Sequence, residues 1–330
     1  MNNQLKFLSA AVIGSLLICG PALGQGKTVI KLGWTTGDGV QDPYAIGARA
    51  FKTAVEAKSK GTIEVQLFPN RQLGDEKPMV EGLRFGTVDA AVITNSVVAQ
   101  VEPAFQLNDL PFLYSTEAQA HKVLDGKIGA ELAKKLEAKG VVVLGYMEGG
   151  FRNMINNKHP VQKPDDVKGV KYRVMQNPLF IDMFTSLGGS AVPMAWGETF
   201  TAVQQGTIDG LEVPIAVIDQ SKLFEVTKYL SLTNHTYSVN ELLMSKRTFD
   251  KLSADQKKAV TEAARQAVAE QRKVNGENAK QMVVGLQSKG MKVNTIGDPA
   301  AFRQKVAPVY EKFRNSIGSD LLNATLAEVK

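Results

Sequence analysis

One cysteine, Cys19, and three histidines are all that 330 residues offer in thiol and imidazole groups. Cys19 lies in an N-terminal segment that reads as an export signal, and without that segment the chain has no thiol. Disulfides, thiolate catalysis and Cys-ligated metals are thereby excluded. His121, His159 and His235 are far apart in sequence, so most metal chemistry goes with them. Long apolar runs are also missing: beyond residue 24 no stretch of about 18 apolar residues could serve as a membrane span. Nor is there a tract of one charge. The 39 basic and 33 acidic residues are interspersed, and the 2 Trp, 7 Tyr and 14 Phe are spread along the chain. A nucleic-acid binder would gather its basic residues into a stripe, so nucleic acid is not expected as a partner.

Catalytic signatures are missing as well. No H-E-x-x-H and no G-x-S-x-G occurs, and Gly37-Asp38-Gly39 lacks the third glycine of a dinucleotide loop. Gly26-Lys27-Thr28 ends like a phosphate-binding loop, but Pro21 stands where the upstream glycine belongs. Carboxylates are plentiful, and no spacing sets a pair apart for acid–base work. No cofactor and no metal is expected, and nothing calls for an enzyme.

What is present is a globular composition, 44% apolar and 22% charged, at a length that predicts two domains. Residues 1–24 carry Lys6, an apolar run from Phe7 to Cys19, the helix breaker Pro21 and the small-residue pattern Ala22-Leu23-Gly24. This reads as a signal peptide cleaved after Gly24, which places the protein in the periplasm. A lipoprotein signal ending at Cys19 is the rival reading, and bulky Ile18 argues against it.

Val29–Thr35 alternates as a strand, and Ile46, Ala50, Phe51, Ala54 and Val55 form a helical stripe within residues 42–58. A strand at Ile63–Phe68, a helix at Asp75–Phe85 and a strand at Ala90–Thr94 continue a wound α/β pattern, whose ligand crevice belongs at the strand ends. The pattern recurs with a helix over Glu117–Lys139, strands at Val141–Leu144 and Val170–Val174, and a helix from Pro178 to Leu187. A short strand at Ala191–Pro193, a helix at Glu198–Gln205 and a strand at Asp209–Val213 complete it. Phe85-Gly86-Thr87-Val88-Asp89 and Gln205-Gly206-Thr207-Ile208-Asp209-Gly210 share one design, a glycine that ends a helix and an acid that opens a strand. They predict two related lobes. Ser253-Ala254-Asp255-Gln256 is a capping box, and the apolar stripe after it runs to Gly290. One helix of roughly 50 Å would cross both lobes; two helices parting near Gly276 are the alternative.

Seven stretches together resemble the extracytoplasmic solute receptors of tripartite ATP-independent periplasmic (TRAP) transporters, the DctP-like family. They are Phe68–Gly74, Leu110–Leu113, Gly150–Arg152, Asp165–Val174, Pro193–Thr199, Val203–Glu212 and Leu252–Gln256. The resemblance covers about residues 28 to 320. It implies an α/β, periplasmic-binding-protein-like fold of two lobes, each a sheet flanked by helices, with a long helix spanning both and the ligand in the cleft. The lobes would be residues 25–149 with about 239–278, and residues 150–238 with about 279–330.

The resemblance further implies a role for Arg173 as the arginine that holds the ligand's carboxylate, and for Arg152 as a second arginine on the ligand. A guanidinium suits this because its planar fork matches a carboxylate and stays charged when desolvated. Trp196 falls where an aromatic packs on the ligand. After Glu212 many members carry an asparagine; here Val213 follows, which implies a monoanion with an apolar part. Thr35, Glu76, Thr94, Asn95, Gln176, Glu212 and His235 fall in register with the family's cleft. A TRAP membrane permease is the expected partner of a monomeric receptor, and a periplasmic sensor of the same fold is the alternative.

Overall fold

The computed structural model describes residues 27–329. The expected export signal, with Cys19 and the cleavage point after Gly24, lies outside the described residues. The chain opens with β1 (Thr28–Gly33), α1 (Pro43–Lys58), β2 (Ile63–Phe68), α2 (Glu76–Phe85) and β3 (Ala90–Thr94). β1 pairs in parallel with both β2 and β3, as a wound unit requires. Asp42 starts α1 by accepting the N–H groups of Tyr44 and Ala45, each at 3.0 Å.

Two short helices, α3 (Asn95–Val98) and α4 (Gln106–Asp109), precede α5 (Glu117–Asp125) and α6 (Lys127–Glu137). The sequence predicts a single helix over this last stretch. Gly126 breaks it with an extended backbone, φ −93° and ψ −157°, and a Cβ on Gly129 would lie 1.8 Å from the Leu124 carbonyl oxygen.

β4 (Val141–Asn156) extends well past its apolar opening at Val141–Leu144. The second wound unit follows as β5 (Lys171–Val174), α7 (Pro178–Ser186), β6 (Ser190–Pro193), α8 (Trp196–Gln204) and β7 (Gly210–Pro214), with β5 parallel to both β6 and β7. Then come α9 (Ile215–Gln220), the long strand β8 (Tyr229–Ser245), α10 (Lys246–Lys251), α11 (Ala254–Ser288), β9 (Lys292–Thr295), α12 (Pro299–Ile317) and α13 (Ser319–Glu328).

The strand order is β2-β1-β3-β8-β4-β7-β5-β6, with β9 on β8. β8 pairs with β3 through Asn240–Met244 and with β9 through Tyr229–Leu232, while β4 pairs with β7 through Arg152–Asn156. The antiparallel β4 and β8 thus run through both lobes and join them in one hydrogen-bonded sheet. Their register slips between Glu148 and Gly150 and again between Arg152 and Met154, and Gly150 has φ +91°. Side chains alternate across the sheet, so Ala90 and Val92 enter one buried cluster with α1, α9 and α11, while Ala91 and Ile93 enter the other with α2, α7 and α12.

The two glycine turns match in detail. Gly86 and Gly206 both have left-handed φ, +79° and +71°. After them, Asp89 accepts the Lys31 N–H at 3.1 Å and Asp209 accepts the Lys171 N–H at 2.9 Å, each tying its strand to the first strand of its own lobe.

α11 is one continuous helix of 35 residues and does not break at Gly276. Ser253 and Gln256 form the expected capping box, at 3.2 and 3.1 Å. α11 packs on α1 in one lobe and on α9 and β9 in the other, so it does span both. Near the middle, the Gln271 side chain accepts from Glu148 N at 3.0 Å and donates to Glu148 O at 2.6 Å and Pro43 O at 3.2 Å.

Candidate ligand-binding site

A small cavity lies between the lobes, at the ends of β1, β3, β5 and β7. Thr36, Tyr44, Glu76 and Thr94 supply a polar wall from the first lobe. Met175, Trp196, Val213, Pro214 and Val217 supply a mostly apolar wall from the second. Arg152 and Arg173 complete the lining.

Arg173 stands on β5 and is only 2% exposed. Its Nε and Nη2 donate to the Met194 carbonyl at 3.0 and 2.7 Å, and Nη1 faces the Met175 sulfur at 3.4 Å. The Trp196 ring centroid is 5.9 Å from the guanidinium carbon. Burial pushes its pKa down to about 10, with Glu212 pulling the other way and Arg152 adding to the fall, so it remains a cation at neutral pH. A buried cation is costly without a counter-charge. Arg173 donates two hydrogen bonds to a neutral carbonyl and makes no ion pair among the described residues. That leaves a positive charge facing the cavity, which is what an anion requires.

Arg152 has a different environment. From β4 its Nε and Nη2 donate to the Glu212 carboxylate at 2.5 and 2.8 Å, Nη2 also reaches the Glu212 carbonyl at 2.6 Å, and Nη1 reaches Ser238 Oγ at 3.3 Å. Glu212, on β7, is 0% exposed. Burial works to raise its pKa, and Arg152 with His235 more than offsets this and holds it below the usual range. Burial lowers the pKa of His235, so the ring is neutral; Nε2 donates to Glu212 at 3.3 Å and Nδ1 accepts from Thr233 Oγ1 at 2.8 Å. Arg152, Glu212 and His235 therefore form one neutralised cluster behind the cavity wall.

On the polar wall the hydroxyls form a directed chain. Tyr44 OH donates to Thr94 Oγ1 at 2.6 Å, and Thr94 donates to Glu76 Oε1 from both Oγ1 at 2.7 Å and N at 2.8 Å. Burial, opposed by those Thr94 hydrogen bonds, pushes the Glu76 pKa up to about 7. Thr36 is fixed by donating to Asp42 Oδ1 at 2.8 Å.

The structure brings together six of the residues predicted from the sequence: Arg173, Arg152, Trp196, Val213, Glu76 and Thr94. Glu212 and His235 lie one layer back, on Arg152. Three expectations are corrected. Thr35 is buried but does not line the cavity; its neighbour Thr36 does, in the bend that follows β1. Asn95 donates to the Phe105 carbonyl at 2.9 Å and accepts from Asn108 at 3.0 Å, a bracket between α3 and α4. Gln176 is exposed, and its carbonyl accepts from the Gln100 side chain at 2.8 Å. The sequence reading missed Tyr44, Thr36, Met175, Pro214 and Val217. Asp42-Pro43 at a helix start was the available signal for Tyr44, since it fixes that helix's first turn beside the crevice.

Two wound lobes, a long helix across both and, between them, a cavity holding an arginine with no ion pair among the described residues are the architecture of a solute-binding protein. The profile of the bacterial extracellular solute-binding proteins, family 7 (DctP), matches residues 36–316, and the chain belongs to that family. It is 36% identical over 298 residues to the 2,3-diketo-L-gulonate-binding periplasmic protein YiaO of Escherichia coli (strain K12), covering 89% of this chain and 90% of that one. Among solved structures, it is similar to a TRAP periplasmic solute-binding protein from Polaromonas sp. JS666 bound to D-erythronate. That match has TM-score 0.88 and 38% identity, and covers 91% of this chain and 99% of the other. It is also similar to the sugar acid binding protein DctPAm of Advenella mimigardefordensis strain DPN7T in complex with galactonate. There the TM-score is 0.89 and the identity 36%, covering 92% of this chain and 98% of the other. Among the described residues no helix is long and apolar enough to cross a membrane.

Proposed function

We propose that the protein captures a small organic monoanion in the periplasm and delivers it to a TRAP-type membrane permease. The observation that carries the proposal is Arg173, a buried guanidinium facing the cavity with no carboxylate partner of its own. A ligand carboxylate supplies the missing charge and takes the remaining N–H groups of the fork.

The two walls narrow the class of ligand. Val213, Pro214 and Val217 offer no hydrogen bonds and suit a carbon skeleton, whereas Thr36, Glu76 and Thr94 suit one or two hydroxyls on its other side. A compact hydroxy acid of about four carbons, of the kind bound by the Polaromonas relative, fits this better than a long polyhydroxylated acid. Each hydroxyl of such an acid that met the valine wall would lose water without gaining a partner.

Both walls come from one chain, so a monomer is sufficient for capture. Export by a signal cleaved after Gly24 follows from the sequence of residues 1–24 and the family's extracellular setting.

Thermal-shift screening followed by calorimetry tests the reading, with D-erythronate, lactate, succinate, galactonate and glucuronate as the panel. A ligand present at 100 times its dissociation constant stabilises the fold by about 2.7 kcal/mol. D-Erythronate is expected to bind most tightly. No shift with any acid of the panel would count against anion capture, and tight binding confined to the six-carbon acids would overturn the preference for a compact ligand.

A further inference from the structure

We propose that Asp75 is a positioning residue that caps α8 across the cleft, so that Trp196 is held over Arg173 when the lobes are together. The proposal rests on the reading of the cavity as a site that closes on its ligand.

α8 has no cap from its own lobe. Its N-cap residue is Ala195, which has no side-chain acceptor; the Glu198 N–H turns back to the Ala195 carbonyl at 3.4 Å, and the Gly197 N–H takes its partner from outside the helix. The Asp75 carboxylate of the first lobe fills that role. Its Oδ2 accepts the Gly197 N–H at 3.2 Å, while its Oδ1 accepts the Glu76 N–H at 3.1 Å at the start of α2. One carboxylate thus serves the N-termini of two helices, one from each lobe, and both helix dipoles favour its charge.

The approach needs a bare backbone. A Cβ on Gly197 would lie 1.9 Å from Arg71 Nη1 and 3.1 Å from Asp75 Oδ2. Trp196, one residue earlier, lines the cavity and sits over Arg173. Other bonds also cross between the lobes: Gln100 to the Gln176 carbonyl at 2.8 Å, and Asn177 to Asp109 at 2.8 Å. None of those residues lines the cavity. Asp75 differs because it joins Glu76 on one wall to Trp196 on the other.

A contact made only in the closed state weights the closed state, and its loss shifts the population toward the open one. Helix caps contribute about 0.5–2 kcal/mol, so removing this one should lower the closed population about 2- to 30-fold. The cost should fall on ligand release rather than encounter.

Asp75→Asn is the informative variant. Asparagine keeps an oxygen for the Glu76 N–H but presents an NH₂ group that cannot accept from Gly197. The closed population is read without ligand by oxidative cross-linking of a Gln100→Cys, Gln176→Cys pair, which spans the cleft mouth. Asp75→Asn is expected to slow cross-linking by the factor above in protein that remains folded by circular dichroism. With D-erythronate as probe, stopped-flow release should quicken by a similar factor. Gly197→Ala, whose Cβ would crowd the Arg71 guanidinium and the Asp75 carboxylate away from the start of α8, should reproduce both effects and decides the question if Asp75→Asn unfolds. Equal cross-linking rates with Asp and Asn at position 75 overturn the proposal. Slower cross-linking without any binding of D-erythronate supports the cap and counts instead against the choice of ligand.

Discussion

Arg152 and Glu212 are locked together, with two guanidinium nitrogens on the Glu212 carboxylate at 2.5 and 2.8 Å and one of them also on its carbonyl at 2.6 Å. Both are buried, at 4% and 0% exposed. An arginine held in this way positions β4 against β7, and its charge and its fork are already taken up by Glu212. Arg173, with only a carbonyl and a thioether for company, is the arginine left for the ligand.

Arg152→Ala should therefore unfold the protein more readily, rather than merely weaken binding. Removing one partner of a buried ion pair leaves the other charge without compensation and costs about 3–5 kcal/mol. The pair holds the Glu212 pKa down, so its contribution is present above the unfolded carboxyl value near 4.5 and is lost as pH falls through the lower folded value. Urea unfolding should show the full penalty at pH 7 and a smaller one at pH 4. A variant as stable as wild type at pH 7 would remove the structural role given to Arg152.

Glu241 works in the opposite direction. It is completely buried on β8, and neither carboxyl oxygen has a hydrogen-bond partner among the described residues. Burial, with Asp109 nearby, raises its pKa well above 4.5, so the folded state keeps a proton that the unfolded state gives up. Stability is then greatest below about pH 4.5 and declines as pH rises, by up to about 1.4 kcal/mol per pH unit for one proton. Glu241→Met should stabilise the protein by about 1–3 kcal/mol at pH 8 and by less at pH 5. Calorimetric melts at both pH values check this, and a destabilised Met variant at pH 8 would indicate a solvated partner for the carboxyl.

Much of this was legible in the sequence where the signal is local. The Ser253–Gln256 capping box and the left-handed glycines at 86 and 206 act within a few residues, whereas Arg173, in the strand Lys171-Tyr172-Arg173-Val174, stood out only through the family resemblance. The long strands β4 and β8 escaped because their middles carry Gly149, Gly150, Arg152, Asn234, Asn240 and Glu241, residues that weaken a strand pattern. Those residues are tolerated because the strands pass the cleft and the Arg152 cluster, whose partners come from 60 or more positions away. Thr35 and Thr36 show the limit in miniature: the right segment was identified, but both residues lie in a bend past the end of β1, where strand alternation no longer says which side chain faces the cavity.

Glu76 should make binding pH-dependent. Its pKa of about 7 means that it is largely protonated below neutrality and ionised above it. An anion entering the cavity favours the protonated form, so affinity should be roughly constant below pH 6 and fall above pH 7, by at most about tenfold per unit. The raised pKa also means that the stability from this group is full below about pH 4.5 and lost as pH rises through 7. Calorimetry with D-erythronate between pH 5.5 and 8.5 should show the decline in wild type and a flat profile in Glu76→Gln. Matching profiles would exclude Glu76 as the titrating group.

The arginine anchor allows the sharpest test. If Arg173 pairs with a desolvated carboxylate, Arg173→Ala leaves the anion buried without its partner, at a cost of about 2–5 kcal/mol. That is about 30-fold to several thousand-fold in affinity. Arg173→Lys restores a charge but not the fork that reaches Met194 and the ligand at once, so it should recover only part of the loss. The apo fold responds differently from that of Arg152→Ala. Arg173 has no buried carboxylate to abandon, only the Met194 carbonyl and the Met175 sulfur. Burial also lowers its pKa, so its charge is a burden on the empty protein. Arg173→Ala should therefore keep or raise the apo melting temperature while losing the ligand-induced shift. Calorimetry and melts on Arg173→Ala, Arg173→Lys and Arg152→Ala separate the two roles, and a wild-type affinity in Arg173→Ala would remove Arg173 from the site.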